Sequence, residues 1–193
     1  CKMKIAILGT RGIPARYGGF ETFAEEIAIR LVEKGHEVTV YCELHEDTEV
    51  IESYKSIKLV YLTAPDLGML STIWFDLKCL WHARSAFDIA YMLGYGASIF
   101  CFLPRLWGTP VWVNMDGIEW ARAKYSTIGK TWWKMMEFFA MFTSSRIICD
   151  ADAVYEVIRK RQPRVPAYSV IEYGAPLIDD SVTTSILEEY KIE

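Results

Sequence analysis

Seven short runs of apolar and β-branched residues punctuate the chain, at Met3 to Leu8, Glu37 to Cys42, Ile57 to Leu62, Phe87 to Leu93, Pro110 to Met115, Arg146 to Asp150 and Ala167 to Ile171. Most are continuous rather than alternating, the pattern of strands covered on both faces. Between them the apolar period lengthens to that of a helix. The clearest case starts near Phe20, where Phe20, Phe23, Ala24, Ile27, Ala28, Leu31 and Val32 recur at helical spacing and Gly35 ends the run. Strand and helix signals in alternation predict βαβ units. The expected fold is α/β: a Rossmann-like three-layer domain with a central, mostly parallel seven-stranded sheet.

Two stretches depart from this rhythm. The connection Gly9 to Gly19 is longer than the two to six residues usual between a strand and its helix. The tail, residues 185–193, opens a helical pattern with Ile186, Leu187 and Tyr190. Residues 1–184 are therefore read as one domain, and residues 185–193 as the start of a linker to a further domain.

Composition narrows the class. At 193 residues and 52% hydrophobic, the chain can bury a core of ordinary size. Net charge is −4, yet residues 117–165 hold nine Lys/Arg against five Asp/Glu. Such a balance does not suit general nucleic-acid binding, which needs a basic stripe to displace counterions. A local basic surface suits a pyrophosphate or anionic headgroups. Five cysteines show no Cys-x-x-Cys pair and no metal-ligand spacing, so no metal site is expected and a reducing compartment fits. No apolar run reaches the roughly 18 residues that span a bilayer. A cytoplasmic location is the expectation, with contact at the inner face of the membrane left open.

In an open α/β sheet, ligands bind beyond the carboxyl ends of the strands, which directs attention to the loop after the first strand. Gly18 and Gly19 permit close backbone approach, and the helix that follows offers free N–H groups to an anion. Arg11 and Arg16 add guanidinium forks. The expected guest is an oxygen-rich anion. A dinucleotide site is the rival, with Glu43 placed as a ribose-binding acid. Its Gly-x-Gly-x-x-Gly fingerprint, begun at Gly9, would need glycine at Arg11 and Pro14, and proline lacks the N–H a pyrophosphate requires.

Asp116 ends the fifth strand run and precedes Gly117, so its carboxylate is expected at the same rim, with Glu119 and Arg122 close enough to join it. Two readings stand side by side. Asp116 could accept a hydrogen bond from a reacting hydroxyl, or Asp116 and Glu119 could form a capping box for the next helix. His36 lies in a turn on the opposite side, and His45 and His82 show no partner pattern. The segment Lys130-Thr131-Trp132-Trp133-Lys134-Met135-Met136 is aromatic and basic. Lysine stems beside indoles suit a bilayer interface; a helix apolar almost all round also suits a core.

Lys4-Ile5-Ala6-Ile7-Leu8-Gly9-Thr10-Arg11-Gly12-Ile13-Pro14-Ala15-Arg16-Tyr17-Gly18-Gly19-Phe20-Glu21-Thr22-Phe23 resembles the opening of bacterial rhamnosyltransferases of capsule and cell-wall polysaccharide synthesis, members of the retaining GT-B class. The likeness extends through Asn114-Met115-Asp116-Gly117-Ile118-Glu119-Trp120 and Ile147-Ile148-Cys149-Asp150-Ala151-Asp152. The resemblance implies the N-terminal, acceptor-side half of a two-domain transferase. Its partner domain would grip the sugar nucleotide, with dTDP-rhamnose the favoured donor, a lipid-linked saccharide the acceptor and no further cofactor. It implies that Arg11, Arg16, Gly18, Gly19, Glu119 and Arg122 bind substrate and that Asp116 sits beside the reacting hydroxyl. It also implies that the domain alone is inactive. Tyr173-Gly174-Ala175 resembles the family's hinge side of the cleft, although Glu172 stands where relatives carry proline. A non-catalytic nucleotide- or phosphosugar-binding domain is the alternative.

Overall fold

Strands whose residues are apolar on both sides need cover on both sides, and the chain supplies it unequally. The computed structural model describes residues 2–15, 18–45, 48–172 and 174. Eight strands form one sheet in the order β3-β4-β2-β1-β5-β6-β7-β8. They are β1 (Lys4–Leu8), β2 (Glu37–Glu43), β3 (Ser53–Tyr54), β4 (Ile57–Leu62), β5 (Ile89–Met92), β6 (Val111–Met115), β7 (Arg146–Cys149) and β8 (Ala167–Val170). Every pairing is parallel except that of β3 with β4. The expected seven strands are present and β3 is the eighth. It is a two-residue hairpin arm turned by Lys55 and Ser56, both at positive φ, and too short to leave a periodic signal.

Helix α1 (Gly19–Glu33) covers one face, where Ala24 and Ala28 bury against Ile5, Ile7, Val38 and Val40. The other face carries α2 (Met69–His82), α3 (Phe102–Leu106), α4 (Thr127–Thr143) and α5 (Asp152–Arg161). Phe75, Cys79, Met136, Ala140 and Ile158 meet Ala6, Ala90, Val113 and Ile147 in that core. Helix α4 answers the question its composition raised with a divided surface. Met136, Ala140 and Met141 are buried, while Met135, Phe138 and Phe142 on its outer side are exposed.

One buried carboxylate ties the second layer together. Glu137 on α4, 1% exposed, accepts from Trp120 Nε1 at 2.6 Å, from Gln162 Nε2 at 2.6 Å and from Arg161 Nε at 3.4 Å. Those partners lie before α4 and at the end of α5, so three chain segments meet on one side chain.

Asp76 on α2 lacks such partners: it is 5% exposed and its Oδ1 has no hydrogen bond. Burial, with Glu43 nearby, pushes its carboxyl up to about 8 from an ordinary value near 4. The folded chain then keeps a proton that the unfolded chain releases above pH 4, so this residue makes stability fall as pH rises from about 4 to 8. Asp76→Asn is expected to remove that slope and raise stability at pH 8 by on the order of a few kcal/mol. Urea denaturation across this pH range checks it; a slope unchanged from the parent chain contradicts it.

Candidate functional site

Parallel strands deliver their carboxyl ends to a single rim, and the polar residues that follow β1, β2, β6 and β7 gather there. Gly9 leaves β1 at φ +79°, against the β5 end, where a side chain would strike the Leu93 carbonyl. Thr10 and Ile13 then fold inward and are buried. Two loop N–H groups are already engaged: Arg11 N donates to Glu21 at 3.4 Å and Ala15 N to Glu25 at 2.8 Å. These two N–H groups are therefore committed within the domain. Carboxylates of α1 hold the first half of the loop in place.

What stays open is the start of α1. Gly18 takes φ +108°, a conformation side chains resist, and Glu21 fills the space a Cβ there would need. Gly18, the N-cap, has no side chain to cap the helix, and a Cβ at Gly19 would meet nothing within 4 Å. The first-turn N–H groups therefore receive no bond from the N-cap side chain, and the Glu21 carboxylate lies beside Gly18. The Arg11 side chain is 76% exposed, with Nε 4.0 Å from Glu43. Arg16 lies outside the described residues, as do Tyr173 and Ala175, expected at a hinge, and residues 185–193, expected to open a linker.

Two strands away, Asp116 follows β6. Its capping reading fails for a local reason. Gly117 N turns back to Met115 O at 2.8 Å, and the chain enters a single 3-10 turn at Glu119–Ala121 whose cap, Ile118, makes no side-chain bond. The next α-helix begins only at Thr127, capped by Ser126, whose Oγ accepts from Gly129 N at 3.3 Å. The Asp116 carboxylate is left half-buried. Burial raises its pKa, Glu119 and Asp150 add to the rise, and Arg122 and Lys124 oppose it.

Glu119 is placed differently from its neighbour. It is buried, pairs with Arg122 Nε at 2.9 Å and accepts from Tyr125 Oη at 2.8 Å, while its N–H donates to Tyr95 Oη at 2.9 Å. Glu119, held by Arg122 Nε and Tyr125 Oη, thus fastens the loop that presents Asp116.

A second carboxylate joins Asp116 that the sequence reading did not single out as a site residue. Met115 and Cys149 are register partners, which sets Asp116 and Asp150 side by side just beyond the two strands. Asp150 Oδ1 is buried without a hydrogen-bond partner. The available signal was an aspartate directly after an apolar strand run, the same signal that marked Asp116. Asn114, buried in β6, gives Nδ2 to Tyr91 Oη at 3.0 Å and keeps an unpartnered Oδ1.

The histidines lie apart from the Asp116 and Asp150 carboxylates. His36 Nδ1 accepts from Met3 N at 3.3 Å, and His82 Nδ1 lies 2.7 Å from Tyr41 Oη, a pairing 41 residues apart that sequence alone does not reveal. Among the described residues no three His, Cys, Asp or Glu side chains converge as a metal site. A separate open groove of about 560 Å³ runs beside β4, lined by Tyr61, Thr63, Lys78 and His82.

A family model described as a domain of unknown function, DUF1972, matches residues 2–176. The chain belongs to the DUF1972 family. This DUF1972 chain is 30% identical over 129 residues to an uncharacterized 42.6 kDa protein in the cps region of Klebsiella pneumoniae. The match covers 63% of the chain and only 34% of that relative. In structure the DUF1972 chain is similar to HepE from Anabaena, solved in complex with UDP and glucose, with a TM-score of 0.65 and 18% identity. That likeness covers 98% of this chain and 50% of HepE. It is similar also to sucrose-phosphate synthase from Thermosynechococcus elongatus, with a TM-score of 0.62, 12% identity and 97% of each chain covered. At these identities the likeness establishes a fold, the Rossmann-like α/β sheet that these two proteins share with the DUF1972 chain.

Proposed function

We propose that this DUF1972 chain is the acceptor-side half of a retaining GT-B glycosyltransferase of polysaccharide synthesis, active only together with a donor-binding domain. The observation that carries the reading is that the uncapped start of α1 and the half-buried Asp116 share one sheet rim. Strands β1 and β6 are separated only by β5, so the two features stand two strand spacings apart, roughly 10 Å. A sugar diphosphate is of that scale. Its charged oxygens suit the helix start and the exposed Arg11, and its sugar end falls toward Asp116. The cps-region relative and the UDP-bound neighbour support a sugar nucleotide as co-substrate and a saccharide as acceptor.

In this reading the acceptor hydroxyl oxygen bonds to the anomeric carbon on the face from which the phosphate departs. The bond from that carbon to the phosphate oxygen breaks, and the hydroxyl proton passes to the departing phosphate. Before the step, Asp116 accepts a hydrogen bond from the hydroxyl and aligns it; as the bond to phosphate breaks, that proton moves to the phosphate oxygen. Gly18, Gly19, Arg11 and Arg16 hold phosphate oxygens, and Glu119 with Arg122 fixes the loop carrying Asp116. The resemblance to rhamnosyltransferases favours dTDP-rhamnose and a lipid-linked saccharide.

The test uses the full-length protein with a lipid-linked saccharide and either dTDP-rhamnose or a panel of UDP-sugars. Release of nucleoside diphosphate matched by a lengthened saccharide, fastest with dTDP-rhamnose, is expected. Transfer only from a UDP-sugar removes the rhamnose assignment alone. Tight nucleotide binding without transfer from any donor replaces the enzyme with a binding module.

A further inference from the structure

The outer surface of the helical layer exposes large apolar side chains in an ordered array. On α2, Leu70, Trp74 and Trp81 fall on one face at helical spacing. Trp107, just past α3, meets Trp81 edge-on at 5.7 Å. Arg105 on α3 donates to the Phe142 carbonyl at 2.8 Å, which joins α3 to α4, where Phe138 and Phe142 pack at 4.7 Å. These six residues are between 39% and 62% exposed. Scattered exposed apolar residues need no explanation, but a contiguous array does.

The charges that the three helices themselves present outward have one sign. The only carboxylates on α2, α3 and α4 are Asp76 and Glu137, and both are buried. The charged side chains these helices present outward are Lys78, Arg105, Lys130 and Lys134. Further arginines lie over the rings: Arg84 is 4.3 Å from the Trp81 ring centroid and 5.7 Å from that of Trp107, and Arg164 is 5.9 Å from that of Phe142. A second copy of the chain docked on this face by a two-fold axis would set cations against cations. A negatively charged bilayer surface offers apolar depth for the rings and opposite charge for the fringe. No helix among the described residues is long and apolar enough to cross a membrane, so contact would be made from one side.

We infer that the α2–α3–α4 face is a peripheral docking surface for an anionic lipid bilayer. Docking needs nothing from the transfer chemistry proposed above, and its residues lie outside the rim.

The experiment sediments the full-length protein with vesicles of phosphatidylcholine alone or mixed with phosphatidylglycerol. Binding to the mixed vesicles is expected to weaken as salt screens the cations and to be weak on phosphatidylcholine alone. W74E with W107E is expected to lower binding at least about tenfold, since a carboxylate would have to enter the interface. K130E with K134E, which leaves the rings in place, is expected to lower binding to the mixed vesicles and keeps the question answerable should the tryptophan pair fail to fold. Sugar transfer to a water-soluble acceptor should be unchanged in both variants. Absence of binding to mixed vesicles, equal binding by a folded variant, or a concentration-dependent dimer that the tryptophan pair dissolves would each overturn the assignment.

Discussion

Asp116→Asn in the full-length protein is expected to lower turnover by about 100-fold, the scale on which losing the alignment of a reacting group costs rate. The change removes one charge and no volume. Because Asp116 caps no helix, and burial already disfavours its charged form, folding should lose little. Stability within about 0.5 kcal/mol of the parent chain is the expected companion result. The raised pKa adds a sign. If the ionised carboxylate aligns the hydroxyl, kcat/KM should fall as pH is lowered through a value above that of an ordinary aspartate. Asp116→Glu should retain a similar titration with poorer alignment. Full activity in Asp116→Asn would remove the residue from the site.

The second large effect is on stability. Glu137→Ala is expected to destabilise the chain by about 3 to 5 kcal/mol, the scale for breaking a buried, hydrogen-bonded charge cluster. The substitution strands Trp120 Nε1, the Gln162 amide and Arg161, and it opens a void beneath the 3-10 turn. Arg161 also stacks over the Trp120 ring at 4.0 Å, so the pair should shift together. Glu137→Gln, which keeps the volume but turns an acceptor into a donor, should cost less. Chemical denaturation followed by tryptophan fluorescence checks both, and a loss under about 1 kcal/mol for alanine would show that the cluster is not needed. Trp120 lies within the turn that presents Asp116, so Glu137→Ala should also reduce turnover in molecules that remain folded.

Periodicity made the sheet readable because its strands are buried on both faces and its longest crossovers are amphipathic. All seven expected strands appear within a few residues of their predicted limits. The hairpin arm β3 escaped because two residues carry no period. Sequence spacing failed at Asp116 and Glu119. Three residues apart is a capping distance only if a helix follows, and here Gly117 at φ +75° sends the chain into a brief 3-10 turn instead. Glu119 consequently faces inward to Arg122 and Tyr125. The partners of Glu21, Glu25 and Glu137 were equally hidden, since they join segments ten or more residues apart. Asp150 gained its meaning only from strand register, a property of pairing and not of local sequence. Helix α4 looked apolar all round because its two sides, one in the core and one on the surface, are apolar for different reasons.

Hydrogen exchange of the full-length protein, measured with and without a nucleoside diphosphate and a saccharide acceptor, tests the shared rim most directly. Slowed exchange at residues 18–22 when the nucleotide binds, and at residues 116–122 when the acceptor is added, is the predicted result. Protection confined to the groove beside β4, with both rim segments unchanged, would contradict it.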